Sequence, residues 1–277
     1  MTMSRLRKYA PSKKYEELQF TDDFMFGKVL YSNPDLCKEI LELILNKKIR
    51  KIKFPEIQKV ITITGDAKGV RFDVYTEDDE NSVYDVEMQL ARLRNLPKRS
   101  RYYHGMIDLN MIESGADYEE LKDSYVIFIC NYPMKNGASM PVSIYEYRNT
   151  QDLSMRLGDG AYTVIVNAYG NDSEVSEKMR AFLKYLRTGI PEEDAFTNRI
   201  HNDVLAARAH EEWKVEYMTL LERDKENQRI GEEIGMIQGL VQTYHELGFS
   251  LEEIAGKVDL PVDEVLEILK KMDSENE

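Results

Sequence analysis

The sequence predicts a mixed α/β domain followed by an all-helical extension. Three observations carry this. Strand-like runs alternate with helical patterns only as far as about residue 168, nothing from Glu174 onward reads as a strand, and 277 residues with 42% hydrophobic content suffice for one large domain plus an appendage. The first helix follows Thr21-Asp-Asp, an N-cap signature, with Phe24, Met25, Phe26, Val29 and Leu30 as its apolar stripe. Asn33-Pro-Asp opens a second, with Leu36, Ile40, Leu41, Ile44 and Leu45 at helical spacing. Strands are expected near 58–64, 70–76 and 83–90. The basic segment 92–101 then leads into a helix containing Tyr102, Tyr103, Met106, Ile107, Leu109 and Met111. Strands follow at Tyr125 to Asn131, Val142 to Tyr147 and Tyr162 to Ala168. Helices are expected over about 174–187, 192–209 and 211–247. Gly189-Ile-Pro191 separates the first two, a Ser250 to Glu253 capping box opens a short helix, and Pro261 starts the last. The domain division falls at 1–172 and 173–277.

Composition narrows the function classes. No apolar run reaches the roughly 18 residues of a membrane span, and the first 14 residues hold five basic side chains without the apolar core of a secretory signal. Two cysteines, Cys37 and Cys130, read as buried thiols of a reducing cytoplasm. The net charge of −13 argues against nucleic acid until its distribution is read: residues 201–277 hold 19 acidic and 8 basic residues, −11 of the total. In the remainder, basic residues cluster at Lys47, Lys48, Arg50, Lys51 and Lys53, and at Arg92, Arg94, Lys98, Arg99 and Arg101. Local patches, more than the global sum, set phosphate binding.

The chemistry concentrates in Val70–Tyr75 and Val83–Gln89, which the turn Asp78–Asn81 joins as a hairpin. Residues two apart share a strand face, so Asp85, Glu87 and Gln89 point one way, and Asp73 lies on the partner strand. A solvated strand face is the plain reading of such a stripe. Facing like charges cost roughly 0.2–1 kcal/mol, and enclosing an uncompensated carboxylate costs several kcal/mol, so the cluster needs open water or a cation. Mg²⁺ takes one or two carboxylates together with phosphate oxygens and waters. Asp73 and Glu87 supply the carboxylates and the Met88 carbonyl a third ligand, while Gln89 positions water or holds a phosphate oxygen. Arg92, Arg94, Lys98, Arg99 and Arg101, just beyond the strand, would hold a DNA backbone against the metal. The alternative is a solvated loop with a charged helix start. His104, His201, His210 and His245 have no zinc spacing, and no phosphate-binding glycine loop occurs.

Several segments together carry a family resemblance: Thr21-Asp-Asp-Phe-Met-Phe-Gly-Lys28, Arg71-Phe-Asp73, Tyr84-Asp-Val-Glu-Met-Gln89, Arg99-Ser-Arg-Tyr-Tyr103 and Glu212-Trp-Lys-Val-Glu-Tyr-Met218. In these the chain resembles the Rpn family of recombination-promoting nucleases and transposases, within the PD-(D/E)XK superfamily. The resemblance implies a restriction-endonuclease-like core and DNA cleavage dependent on Mg²⁺, with Mn²⁺ as substitute. It places Asp73 at the superfamily aspartate, Glu87 at the glutamate and Gln89 at the lysine position. Phe72 stands where a proline usually precedes the aspartate. A further acid from the first core helix is implied, with Glu39 and Glu42 both open. The alternative function is an inactive nuclease fold acting as a DNA-binding or oligomeric module.

In the tail, Gly231, Gly235 and Gly239 fall near one helix face, and each costs roughly 1 kcal/mol against alanine. Close approach of a second helix would offset this, leaving homo-oligomerisation through the C-terminal helices or docking on the core as the alternatives. Residues 241–270 resemble a helix-turn-helix, with Ile254, Ala255, Val258 and Leu260 inward. Their acidic surroundings point to protein contact, not DNA.

Overall fold

The structure, a computed structural model, describes residues 13–62, 69–92, 95–134 and 140–275. Most of the basic opening stretch, positions 63–64 of the first expected strand, and Arg94 lie outside the described residues. Six strands form one mixed sheet: β1 (Glu56–Ile61), β2 (Val70–Glu77), β3 (Val83–Gln89), β4 (Ser124–Cys130), β5 (Val142–Tyr145) and β6 (Ala161–Asn167). Their order is β1-β2-β3-β4-β6-β5. The first three pair antiparallel, β3, β4 and β6 run parallel, and β5 returns antiparallel on the far edge. A parallel pair needs a crossover, and α3 (Leu96–Met111) provides it between β3 and β4.

The helix α3 differs from expectation at its start. It begins at Leu96, with Pro97 in its first turn, so Lys98, Arg99 and Arg101 are helical residues and not part of a preceding loop. Proline suits that turn because its missing N–H would have no intrahelical acceptor. Tyr103, Met106 and Ile107 of α3 pack with Phe72, Val126 and Phe128 in the core beneath it. Helix α1 (Asp23–Ser32) packs on β1 and β2 and against α2 (Pro34–Leu45) and α5 (Ala195–Arg208), and α4 (Glu177–Thr188) packs on α2 and α5. The Asn33 side chain accepts the Leu36 N–H at 3.0 Å, capping α2 as its sequence signature predicts. Lys28 of α1 is buried, with its ammonium 5.3 Å from the Phe24 ring and 5.5 Å from that of Trp213. Two of the segments that carry the resemblance therefore meet.

The central strands decide what the polar stripe is. β3 and β4 are buried along their whole lengths. β4 reads accordingly as an unbroken apolar run, as strands covered on both faces do. β3 does not: Asp85, Glu87 and Gln89 are 0%, 2% and 8% exposed. The solvated-face reading is thereby removed. On the opposite face of the sheet Tyr84 stacks on Tyr125 and Tyr125 on Tyr162, with centroids 5.1 and 4.8 Å apart across three neighbouring strands.

The chain divides into two compact units between Trp213 and Lys214. The sequence division at 172 separates strand-bearing from all-helical chain; α4 and α5, beyond it, belong to the first unit. Helix α6 (Glu211–Glu246), all but its first three residues in the second unit, leads there to α7 (Leu251–Val258) and α8 (Val262–Glu275). Val241, Ile254, Ala255 and Val265 form that unit's small core, with Val258 and Leu260 packed against them. No helix among the described residues is long and apolar enough to cross a membrane. Cys37 and Cys130 are buried and unpaired.

Candidate active site

The hairpin opens into a fork where its two acids meet. β2 and β3 pair in register from Glu77↔Val83 to Val74↔Val86. The next rung belongs to Asp73 and Glu87, and there side chains replace the backbone ladder. The Asp73 N–H donates to Glu87 Oε1 at 3.1 Å, and the Met88 N–H donates to Asp73 Oδ2 at 3.1 Å. Each carboxylate accepts a backbone N–H from the opposite strand. Gln89 turns its backbone toward β4, its carbonyl accepting the Asn131 N–H at 2.9 Å. By alternation the Met88 carbonyl turns toward the fork.

The fork carries excess negative charge. Burial, then the charge of Asp23, pushes the Asp73 carboxyl up to about 6. Burial, then Asp73, pushes Glu87 up to about 8. Burial, then Glu87 and Asp73, raises Asp85 well above the usual carboxylate range. Neither carboxylate oxygen of Asp85 has a hydrogen-bond partner among the described residues. Asp23, the first residue of α1, acts on both Asp73 and Glu87, and its own carboxyl is raised by burial. Sequence reading did not single out this helical acid. Glu39 instead bridges Lys178 and Arg199, and Glu42 accepts the Ile49 N–H and pairs with Lys48. The resemblance left these two open on α2, whereas the fork is approached by α1.

Of the basic residues, Arg99 turns inward. Its Nη2 donates to Glu87 Oε2 at 2.8 Å and to the Tyr103 hydroxyl at 2.7 Å, and its Nη1 donates to Gln89 Oε1 at 3.1 Å. Gln89 therefore holds a guanidinium in this structure. Arg92 and Lys98 are exposed. Arg101 lines a cavity of about 340 Å³ with His104, Phe128, Tyr145 and Tyr147. In the other basic cluster Lys48, Arg50 and Lys53 are paired with Glu42, Asp79 and Glu77, so much of its charge is already answered.

A family model described as PD-(D/E)XK nuclease family transposase matches residues 20–158. The chain belongs to this family. The match takes in α1, the forked hairpin and α3. Neither a curated protein nor a solved structure matches the chain. PD-(D/E)XK nucleases typically use divalent metals, and the donors here suit one. Asp73 and Glu87 offer hard oxygens, and neither oxygen of the buried Asp85 carboxyl beside them has a hydrogen-bond partner among the described residues. No group of three or more His, Cys, Asp or Glu side chains among the described residues forms a ready metal cluster. Two carboxylates are nonetheless the usual protein share of a Mg²⁺ site that water and phosphate complete.

Proposed function

We propose that the protein is a divalent-metal-dependent DNA endonuclease that hydrolyses phosphodiester bonds in a recombination-promoting or transposase-like setting. The observation that carries the reading is the fork, where Asp73 and Glu87 are each fixed by the other strand's backbone. In this reading Asp73 and Glu87 hold Mg²⁺, with Mn²⁺ as substitute, and the Met88 carbonyl adds a third oxygen. Bound there, the metal polarises the scissile phosphate and lowers the pKa of water. The protein's own part is to hold both carboxylates rigidly and to keep the buried side of the fork dry. Arg92, Arg94, Lys98 and Arg101 hold the DNA backbone through phosphate contacts. Residues 1–172 are the nuclease core of a cytoplasmic protein. The test is purified protein with supercoiled plasmid and Mg²⁺ or Mn²⁺. Nicked and linear products are expected, and plasmid left intact by both ions, as by Asp73→Ala, overturns the reading.

A second reading, an inactive nuclease fold acting as a binding module, is favoured by one observation. Arg99 pairs with Glu87, 2.8 Å away, so one of the two carboxylates already has a cationic partner within the chain. Calorimetry separates the two: Mn²⁺ heat that vanishes in Glu87→Ala supports the nuclease, and no heat in wild type supports the module.

We also propose that residues 173–277 mediate self-association. A Cβ at Gly231, Gly235 or Gly239 would meet nothing within 4 Å in the chain itself. Replacing all three by alanine is expected to raise helicity, by about 1 kcal/mol per site. If the glycines admit a second helix, sedimentation will show a smaller species for the triple variant than for wild type. An unchanged species removes this role.

A further inference from the structure

The lysine position of this site holds an uncharged glutamine, yet the structure puts a cation beside it. We propose that Arg99 supplies the positive charge at the scissile phosphate, and that Gln89 is a positioning residue for Arg99. The proposal rests on the nuclease reading above.

Five contacts prepare Arg99 for this. Gln89 Oε1, Glu87 Oε2 and the Tyr103 hydroxyl accept three of its hydrogen bonds, at 3.1, 2.8 and 2.7 Å. The guanidinium also lies 5.2 Å from the Tyr103 ring centroid and 5.6 Å from that of Phe128. Guanidinium has five N–H donors, so the fixed head retains two. Its side chain keeps 24% of its surface accessible, against 2% for Glu87, so Arg99 marks where the buried acids reach the surface. A charge held in place before reaction costs no reorganisation during it. Gln89 suits the supporting role because its amide oxygen accepts from a cation, whereas a lysine there would repel Arg99. Glutamine at 89 and arginine at 99 thus form one arrangement.

The chemistry needs charge, not proton transfer, from this residue. Hydrolysis forms a P–O bond to the water oxygen and breaks the P–O bond to the leaving sugar oxygen. Negative charge builds on the phosphoryl oxygens. The attacking water loses its proton to solvent, and the leaving oxygen takes one from solvent. Arg99 stays protonated throughout.

The experiment measures plasmid cleavage with Mn²⁺ and anisotropy of a labelled duplex, for wild type, Arg99→Gln, Arg99→Lys and the double variant Arg99→Gln/Gln89→Lys. Thermal unfolding of each variant shows that it folds. Arg99→Gln is expected to lower kcat by roughly 10²–10³-fold, the scale for losing one preorganised donor, with KM and duplex affinity changed less than about threefold. Arg99→Lys keeps the charge without the planar fork and falls between. The double variant returns a cation to the site and recovers at least about tenfold over Arg99→Gln. An Arg99→Gln protein as fast as wild type overturns the proposal and leaves the nuclease reading standing. A folded double variant no faster than Arg99→Gln also overturns it. An inert wild type removes the nuclease reading and this inference with it.

Discussion

Asp73→Asn is expected to lower plasmid cleavage by at least about 100-fold and to abolish the heat of Mn²⁺ binding, while raising the unfolding temperature of the metal-free protein at pH 8. Loss and gain have the same origin. Asp73 is held in the fork by the Met88 N–H at 3.1 Å, and burial with Asp23 nearby pushes its carboxyl up to about 6. At pH 8 it is therefore ionised against resistance. Asparagine keeps an oxygen for the Met88 N–H and removes the charge, so metal-free protein is relieved. The metal loses one of two carboxylates, and its contribution of several kcal/mol to the transition state goes with it; each 1.36 kcal/mol is tenfold in rate. Cleavage by Asp73→Asn within threefold of wild type would remove Asp73 from the site. A lower unfolding temperature than wild type at pH 8 would contradict its electrostatic description.

The sheet was legible in sequence where side-chain period alone decides it. Val70–Tyr75 and Val83–Gln89 are rich in β-formers around a turn, and the hairpin pairs as that pattern requires. Strand order was not legible. β6 lies between β4 and β5, and such pairing depends on long-range packing that local pattern does not encode. The start of α3 was read too late because its first turns present Lys98, Arg99 and Arg101, which resemble a loop. Pro97 at the first turn was the available signal.

In the site, Asp73 and Glu87 were legible because a carboxylate among β-branched residues is conspicuous. Their burial was not, since the same stripe suits an exposed strand. Asp23 was hidden by its neighbours. Thr21-Asp-Asp reads completely as a helix start, and Asp22 is indeed the N-cap residue. Nothing local distinguishes Asp23 as the acid that faces a hairpin some 50 residues onward in the chain. Arg99 was counted as one of five cations outside the strand. The only hint that it turns inward was Tyr103, one helical turn later, which accepts its hydrogen bond.

Metal-free protein is expected to lose stability between pH 6.5 and 9, and Mn²⁺ to reverse the loss. Glu87 has its carboxyl raised from 4.5 to about 8 by burial and by Asp73. The folded state thus binds this proton more tightly than the unfolded chain. Its contribution is full below about 4.5 and is lost as pH rises through about 8. Asp73 behaves alike, with its loss complete above about 6. His104 opposes both: burial lowers its imidazole from 6.5 to about 4, so it destabilises the fold at low pH and ceases to do so above 6.5. Between about 4.5 and 6 His104 offsets only one of the two carboxyls, so stability already falls there, and between about 6 and 6.5 it offsets Glu87. Above 6.5, of the three, Glu87 alone still titrates, with a slope of up to about 1.4 kcal/mol per pH unit. A divalent ion prefers the ionised carboxylates, so its binding releases protons and its stabilisation grows over the same range. Thermal unfolding at pH 5.5, 6.5 and 8.5, with chelator and with Mn²⁺, reads both effects, and Glu87→Gln should flatten the upper limb and lose the Mn²⁺ response. An upper limb that is already flat in wild type, or that persists unchanged in Glu87→Gln, would show that the buried glutamate does not carry this charge.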